Sequence, residues 1–124
     1  MSEETLTALW KKFASLRPTR TQLTYLFDQI KHIGGQAAHA WLLEIAKRLL
    51  KARPTSEDLC KIIVFTPELM DIAINKITKL GADSLAINTL QQHAPHLKEL
   101  IAKLKAKNDK REELLKAMLA KLHI

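Results

Sequence analysis

Every proline and glycine in this chain falls at one of six places: Pro18, Gly34-Gly35, Pro54, Pro67, Gly81 and Pro95. Between those places apolar residues recur at spacings of three and four, the period of a helix with one buried face. Leu, Ala and Lys are abundant in these intervals, and all three are good helix formers. The chain therefore reads as all-α, a succession of helices joined by tight breaks. Its 124 residues suit a single helical domain spanning 1–124. An apolar content of 47% is enough to build a core and too high for a disordered chain.

About eight helices are expected. Helix 1 covers about Glu3 to Ser15, with Ser2 as N-cap and Leu6, Leu9, Trp10 and Phe13 on one face. Arg17-Pro18-Thr19 ends it, and Thr19 with Gln22 has the spacing of a capping box. Helix 2 then buries Leu23, Leu26, Phe27, Ile30 and Ile33, and Gly34-Gly35 stops it. Helix 3 runs from about Gln36 to Ala52, with Ala38, Trp41, Leu42, Ile45 and Leu49 inward. Arg53-Pro54-Thr55 breaks the chain again, and helix 4 covers about Ser56 to Phe65 with Leu59, Ile62 and Ile63 inward.

Thr66-Pro67 reads as a cap followed by proline at the first position of helix 5, which carries Leu69, Met70, Ile72, Ala73, Ile74, Ile77 and Leu80. Gly81 closes it. Asp83 or Ser84 caps helix 6, with Leu85, Ile87 and Leu90 inward. Ala94-Pro95 starts helix 7, with Leu97, Leu100, Ile101 and Leu104. Asn108-Asp109 separates it from helix 8, because Asp109 and Glu112 also have capping-box spacing. The alternative is one long helix from Pro95 to His123. Helix 8 packs Leu114, Leu115, Met118, Leu119 and Leu122.

Cys60, Ile62, Ile63, Val64 and Phe65 favour a strand. No second segment offers a partner, and a lone strand leaves its backbone unsatisfied, so a helix is expected there.

Arg17-Pro18-Thr19 recurs as Arg53-Pro54-Thr55, and Leu23, Leu26 and Phe27 then fall on Leu59, Ile62 and Ile63. In a second match, Thr66-Pro67-Glu68-Leu69 falls on Ala94-Pro95-His96-Leu97. The repeated unit is a helix, a tight break and a second helix. Three copies would span 19–52, 55–80 and 83–107, with helices 1 and 8 at the ends. One hairpin cannot bury its own apolar face, so such units stack as antiparallel hairpins. In this architecture the chain resembles the α-solenoid class that includes tetratricopeptide and HEAT arrays. The tetratricopeptide signature of Trp, Leu-Gly and Tyr at fixed offsets is absent. An irregular helical bundle is the alternative arrangement.

No constellation points to catalysis. Cys60 lies beside the inward face of helix 4, where a small buried thiol is common, and no base is placed for it. Serine and acidic residues follow no hydrolase pattern. Gly34-Gly35 lacks the Lys-Ser/Thr of a phosphate loop. His93 and His96 flank Pro95, so they need not share a helical face, and no metal site is expected. No cofactor is expected either. Trp10, Trp41 and Phe27 lie on apolar stripes and read as core, whereas Tyr25 lies off its stripe and reads as exposed.

The chain carries +7, with residues 1–50 holding seven basic and four acidic groups and residues 96–124 eight and four. The single cysteine cannot make an internal disulfide, and the N-terminus has Glu3 and Glu4 in place of an apolar leader. A cytoplasmic protein with no membrane span is expected. Helices 4 and 5 around Thr66-Pro67 are a poor helix-turn-helix, because Glu68 and Asp71 would meet phosphates with like charge.

The function expected is a non-catalytic adaptor or scaffold module binding a partner protein or peptide. In stacked hairpins helices 3, 5 and 7 would line one surface, whose polar positions are Glu44, Lys47, Lys51, Asp71, Asn75, Lys79 and Lys103; Tyr25 is a further candidate contact. The alternative is a nucleic-acid-binding protein that reads no bases and uses basic ends, with Arg48, Arg53, Lys105, Lys107, Lys110 and Arg111 on phosphate. Helix 8 offers a surface for self-association.

Overall fold

A computed structural model describes residues 3–123. They form seven α-helices and no strand: α1 (Glu3–Ser15), α2 (Arg20–Ile30), α3 (Gln36–Lys51), α4 (Ser56–Phe65), α5 (Met70–Leu80), α6 (Ser84–His93) and α7 (Lys98–Leu122). A short 3-10 turn, Pro67–Leu69, precedes α5. Ser2, the expected first N-cap, lies outside the described residues. The helices group into two compact units, Met1–Pro54 and Thr55–Ile124.

In the first unit, α2 packs on α3. Thr19 caps α2: its hydroxyl accepts from the Gln22 N–H at 3.2 Å, and the Gln22 side chain accepts from the Thr19 N–H at 3.0 Å. Leu23 and Phe27 of α2 and Ala38, Leu42, Ile45 and Leu49 of α3 are the buried residues of these two packed helices. Ile33 is 65% exposed, against the expectation that it is core. The helix ends at Ile30, so the helical spacing that placed Ile33 inward no longer applies. Gly35 then takes φ 89°, ψ 164°, a region open essentially to glycine alone, and turns the chain into α3.

In the second unit, α4 packs on α5 and α6, and α7 packs on α6 and α5. Thr55 and Asp58 form the same reciprocal box as Thr19 and Gln22, at 3.0 and 3.1 Å. The residues ahead of the two prolines match as well: Arg17 has φ 52° and Arg53 has φ 54°. The strand-favouring run from Cys60 to Phe65 is helical, and Leu59, Cys60, Ile62 and Ile63 are its buried face. Thr66 does not cap α5 with its side chain; its hydroxyl donates back to the Ile62 carbonyl at 2.7 Å. Asp83 caps α6 through the Ala86 N–H at 2.9 Å. The buried face of α6 is Ala86, Ile87 and Leu90, which turns the preceding Leu85 outward to 65% exposure. On α5, Ala73 and Ile77 are buried while Ile72 and Leu80 stay about half exposed, so this helix is less enclosed than expected.

The expected break at Asn108-Asp109 does not exist. Both residues lie inside α7, which also starts three residues after Pro95 rather than at it. Asp109 and Glu112 therefore form no capping box. The reason is a tertiary contact. Lys107 Nζ donates to the carbonyls of Thr78 at 3.3 Å and Lys79 at 2.9 Å, and Arg111 Nη2 donates to Leu80 O at 2.7 Å. Two cations of α7 thus satisfy the carbonyl end of α5, where they also meet the negative end of its dipole. The helix runs straight across the point where its own sequence offered a stop.

Beyond Arg111, α7 leaves the core. Leu114, Leu115, Met118, Leu119 and Leu122, expected to pack, are instead 43–76% exposed. Among the described residues no helix is long and apolar enough to cross a membrane.

A candidate interaction groove

Helical spacing puts Leu6, Leu9, Trp10 and Phe13 on one face of α1. On α2, counting 100° per residue, an apolar arc of about 100° runs from Phe27 through Leu23 and Ile30 to Leu26, and Tyr25 stands about 100° further round, beyond Gln22 and Gln29. Packing on α3 uses only the Leu23/Phe27 side of that arc. The rest, Leu26 and Ile30, faces the α1 stripe across a gap together with Tyr25, and Trp41 of α3 completes the lining. The result is an open groove of about 690 Å³ whose walls are almost entirely apolar. Among the described residues no Lys, Arg, Asp, Glu or His lines it. Gln22 is its main polar wall residue, and that side chain's oxygen is engaged by the Thr19 N–H.

The aromatic residues set the rigidity of the site. The Trp10 and Phe13 rings lie 6.1 Å apart, tilted by 43°, an arrangement favourable for aromatic pairs. The Arg48 guanidinium stands 5.5 Å from the Trp10 ring centroid, within cation–π range. Trp10 and Trp41 are partly buried rather than core, which corrects the expectation for both, while Phe27 is buried as expected. Tyr25 is 69% exposed, as read from its position off the stripe. A second, more polar depression of about 590 Å³ adjoins the groove at Trp10 and Trp41, with Glu44 and Arg48 on its edge.

The other expected contact residues are spread over both units. Lys47 and Lys51 are exposed on α3, in the same unit as Tyr25, Glu44 and Arg48. Asp71, Asn75 and Lys79 are exposed at four-residue intervals along α5, and Lys103 is exposed on α7. Of the basic candidates, Lys107 and Arg111 are committed to the carbonyl end of α5. Lys105 shares a shallow depression of about 300 Å³ with Lys98 and Gln91. Arg53 and Lys110 are exposed.

Cys60 is fully buried, with Sγ 3.4 Å from the Ala86 carbonyl that it donates to. Burial above all, then the charges of Glu57 and Asp83, push its thiol up to about 12. At neutral pH it is a protonated thiol, not a thiolate nucleophile. Among the described residues no group of three His, Cys, Asp or Glu is placed to hold a metal ion.

Sequence reasoning missed the groove as a groove. The signal was the pair of apolar faces, Leu6, Leu9, Trp10 and Phe13 on α1 and Leu26 with Ile30 on α2, flanked by the off-stripe Tyr25. No family model, curated protein or solved structure shows a significant match to this chain.

Proposed function

We propose that the chain is a non-catalytic protein-interaction module whose α1–α2–α3 groove receives the apolar face of a helix. The observation that carries this reading is the groove itself, an open, uncharged cleft walled by two tryptophans, a tyrosine and aliphatic side chains. Rigid aromatic residues in a pocket that excludes water are the groups that dominate binding energy at protein interfaces. Two helical walls with a gap between them suit an amphipathic helix anchored at i, i+3, i+4 and i+7. Glu44 and Arg48, at the edge of the adjoining depression, offer a charged rim that would set orientation rather than affinity.

The test is fluorescence anisotropy of a labelled amphipathic peptide, Leu at helical spacing and otherwise neutral, titrated with dilute protein. Saturable binding is expected, lost in Leu9→Glu/Tyr25→Glu. Both positions are more than half exposed, so the fold should survive the substitutions. Equal binding to wild type and variant would exclude the groove as the receiving site.

A further inference from the structure

Resting on that reading, we infer that one occupant of the groove is the distal end of α7 from a second copy of this chain, exchanged reciprocally. Leu115, Met118, Leu119 and Leu122 fall on the same face of α7 as Leu100, Ile101 and Leu104, which are buried in its own unit. The helix therefore carries its core-forming face past the last support at Arg111 and into solvent. The eleven helical residues past Arg111, 112–122, are too few for a stable isolated helix. A covering surface would stabilise them.

Shape selects the cover. With Leu114 the exposed stripe spans about 140° around the helix, wider than the seam used by a two-stranded coiled coil. A surface of that width fits between two walls. The groove offers two walls. From Leu114 to Leu122 the stripe is about 12 Å long, and the groove-lining stretches of α1 and α2 are about 10–14 Å long. Stripe and groove walls are both uncharged.

Area selects the exchange. A large apolar side chain hides on the order of 100 Å² when buried. Stripe against stripe would bury about 1,000 Å² in all, the lower limit for a specific interface. Reciprocal exchange seats two stripes in two grooves and, with the smaller groove linings added, buries about 1,300 Å² in all, within the range of specific, stable interfaces. It also closes with two-fold symmetry and leaves no open end to propagate.

The experiment is sedimentation velocity on the full chain across the micromolar range, for wild type, the stripe variant Leu115→Glu/Leu122→Glu and the groove variant Leu9→Glu/Tyr25→Glu. All four positions are exposed, so folding is checked by circular dichroism and expected to hold. Wild type should dimerise, and each variant alone should weaken dimerisation at least about tenfold. An equimolar mixture of the two variants should recover part of the dimer, because that heterodimer keeps one intact stripe in one intact groove. A wild type that stays monomeric throughout overturns the inference. So does a dimer that the groove variant leaves untouched, which would mean stripe-on-stripe pairing. The labelled peptide separates the two readings. If the monomeric stripe variant binds it through the groove, the interaction module stands with another partner; if it does not, the groove reading falls too.

Discussion

The Arg111 guanidinium donates to the Leu80 carbonyl at 2.7 Å and lies over Gly81, so close that a Cβ there would run into it. Together with Lys107, this contact joins the end of α5 to the middle of α7. Arg111→Ala removes a charged cap from α5 and the last support of the distal helix. A loss of about 1–2 kcal/mol in chemical denaturation is expected, with reduced helicity at 222 nm.

Gly81 itself has φ 85° and ψ 175°, where glycine alone is comfortable. Gly81→Ala should destabilise by about 1–3 kcal/mol in the same assay. The arginine can swing aside, so the backbone strain sets most of the effect. A neutral result would mean the turn at Gly81 is not formed as described.

The two capping boxes should not be equal. Thr19 and Gln22 are exposed, whereas Asp58, the partner of Thr55, is 2% exposed. Thr19→Ala should cost about 1 kcal/mol. Thr55→Ala should cost more, because the backbone N–H that loses its acceptor belongs to the buried Asp58. Thermal unfolding of the two variants side by side checks the order.

Cys60 should resist thiol reagents in the native protein and react on unfolding. Its folded value of about 12 lies above the ordinary 9, so between those values the unfolded chain has lost a proton that the folded chain keeps. The Cys60 contribution to stability is flat below pH 9 and falls as pH rises from there toward 12. Cys60→Ala should flatten that alkaline limb.

Salt separates an apolar self-contact from nucleic-acid binding. Two chains of +7 repel, so added salt should tighten dimerisation by screening. Binding to phosphates weakens steeply with salt.

Much of the fold was legible because its punctuation is local. Thr19, Thr55, Asp83 and Gly81 mark helix ends through bonds to neighbours three or four residues away, and the bounds of α4 followed from them. Asn108-Asp109 misled for the opposite reason. The deciding bonds run from Lys107 and Arg111 to carbonyls about thirty residues earlier, and local spacing does not encode them. The groove and the distal stripe were hidden by one ambiguity. Periodicity says that Trp10, Leu26 or Leu115 lies on an apolar face, but not whether another face meets it.

Trp10 and Trp41 are the only tryptophans, and both line the groove, so their emission reads its occupancy directly. The central measurement is the emission maximum and acrylamide quenching of the monomeric Leu115→Glu/Leu122→Glu variant, with and without saturating amphipathic peptide. The account predicts a blue shift and clearly weaker quenching once the peptide covers the rings. Emission and quenching that stay the same with bound peptide would contradict it, because binding would then be taking place away from the groove.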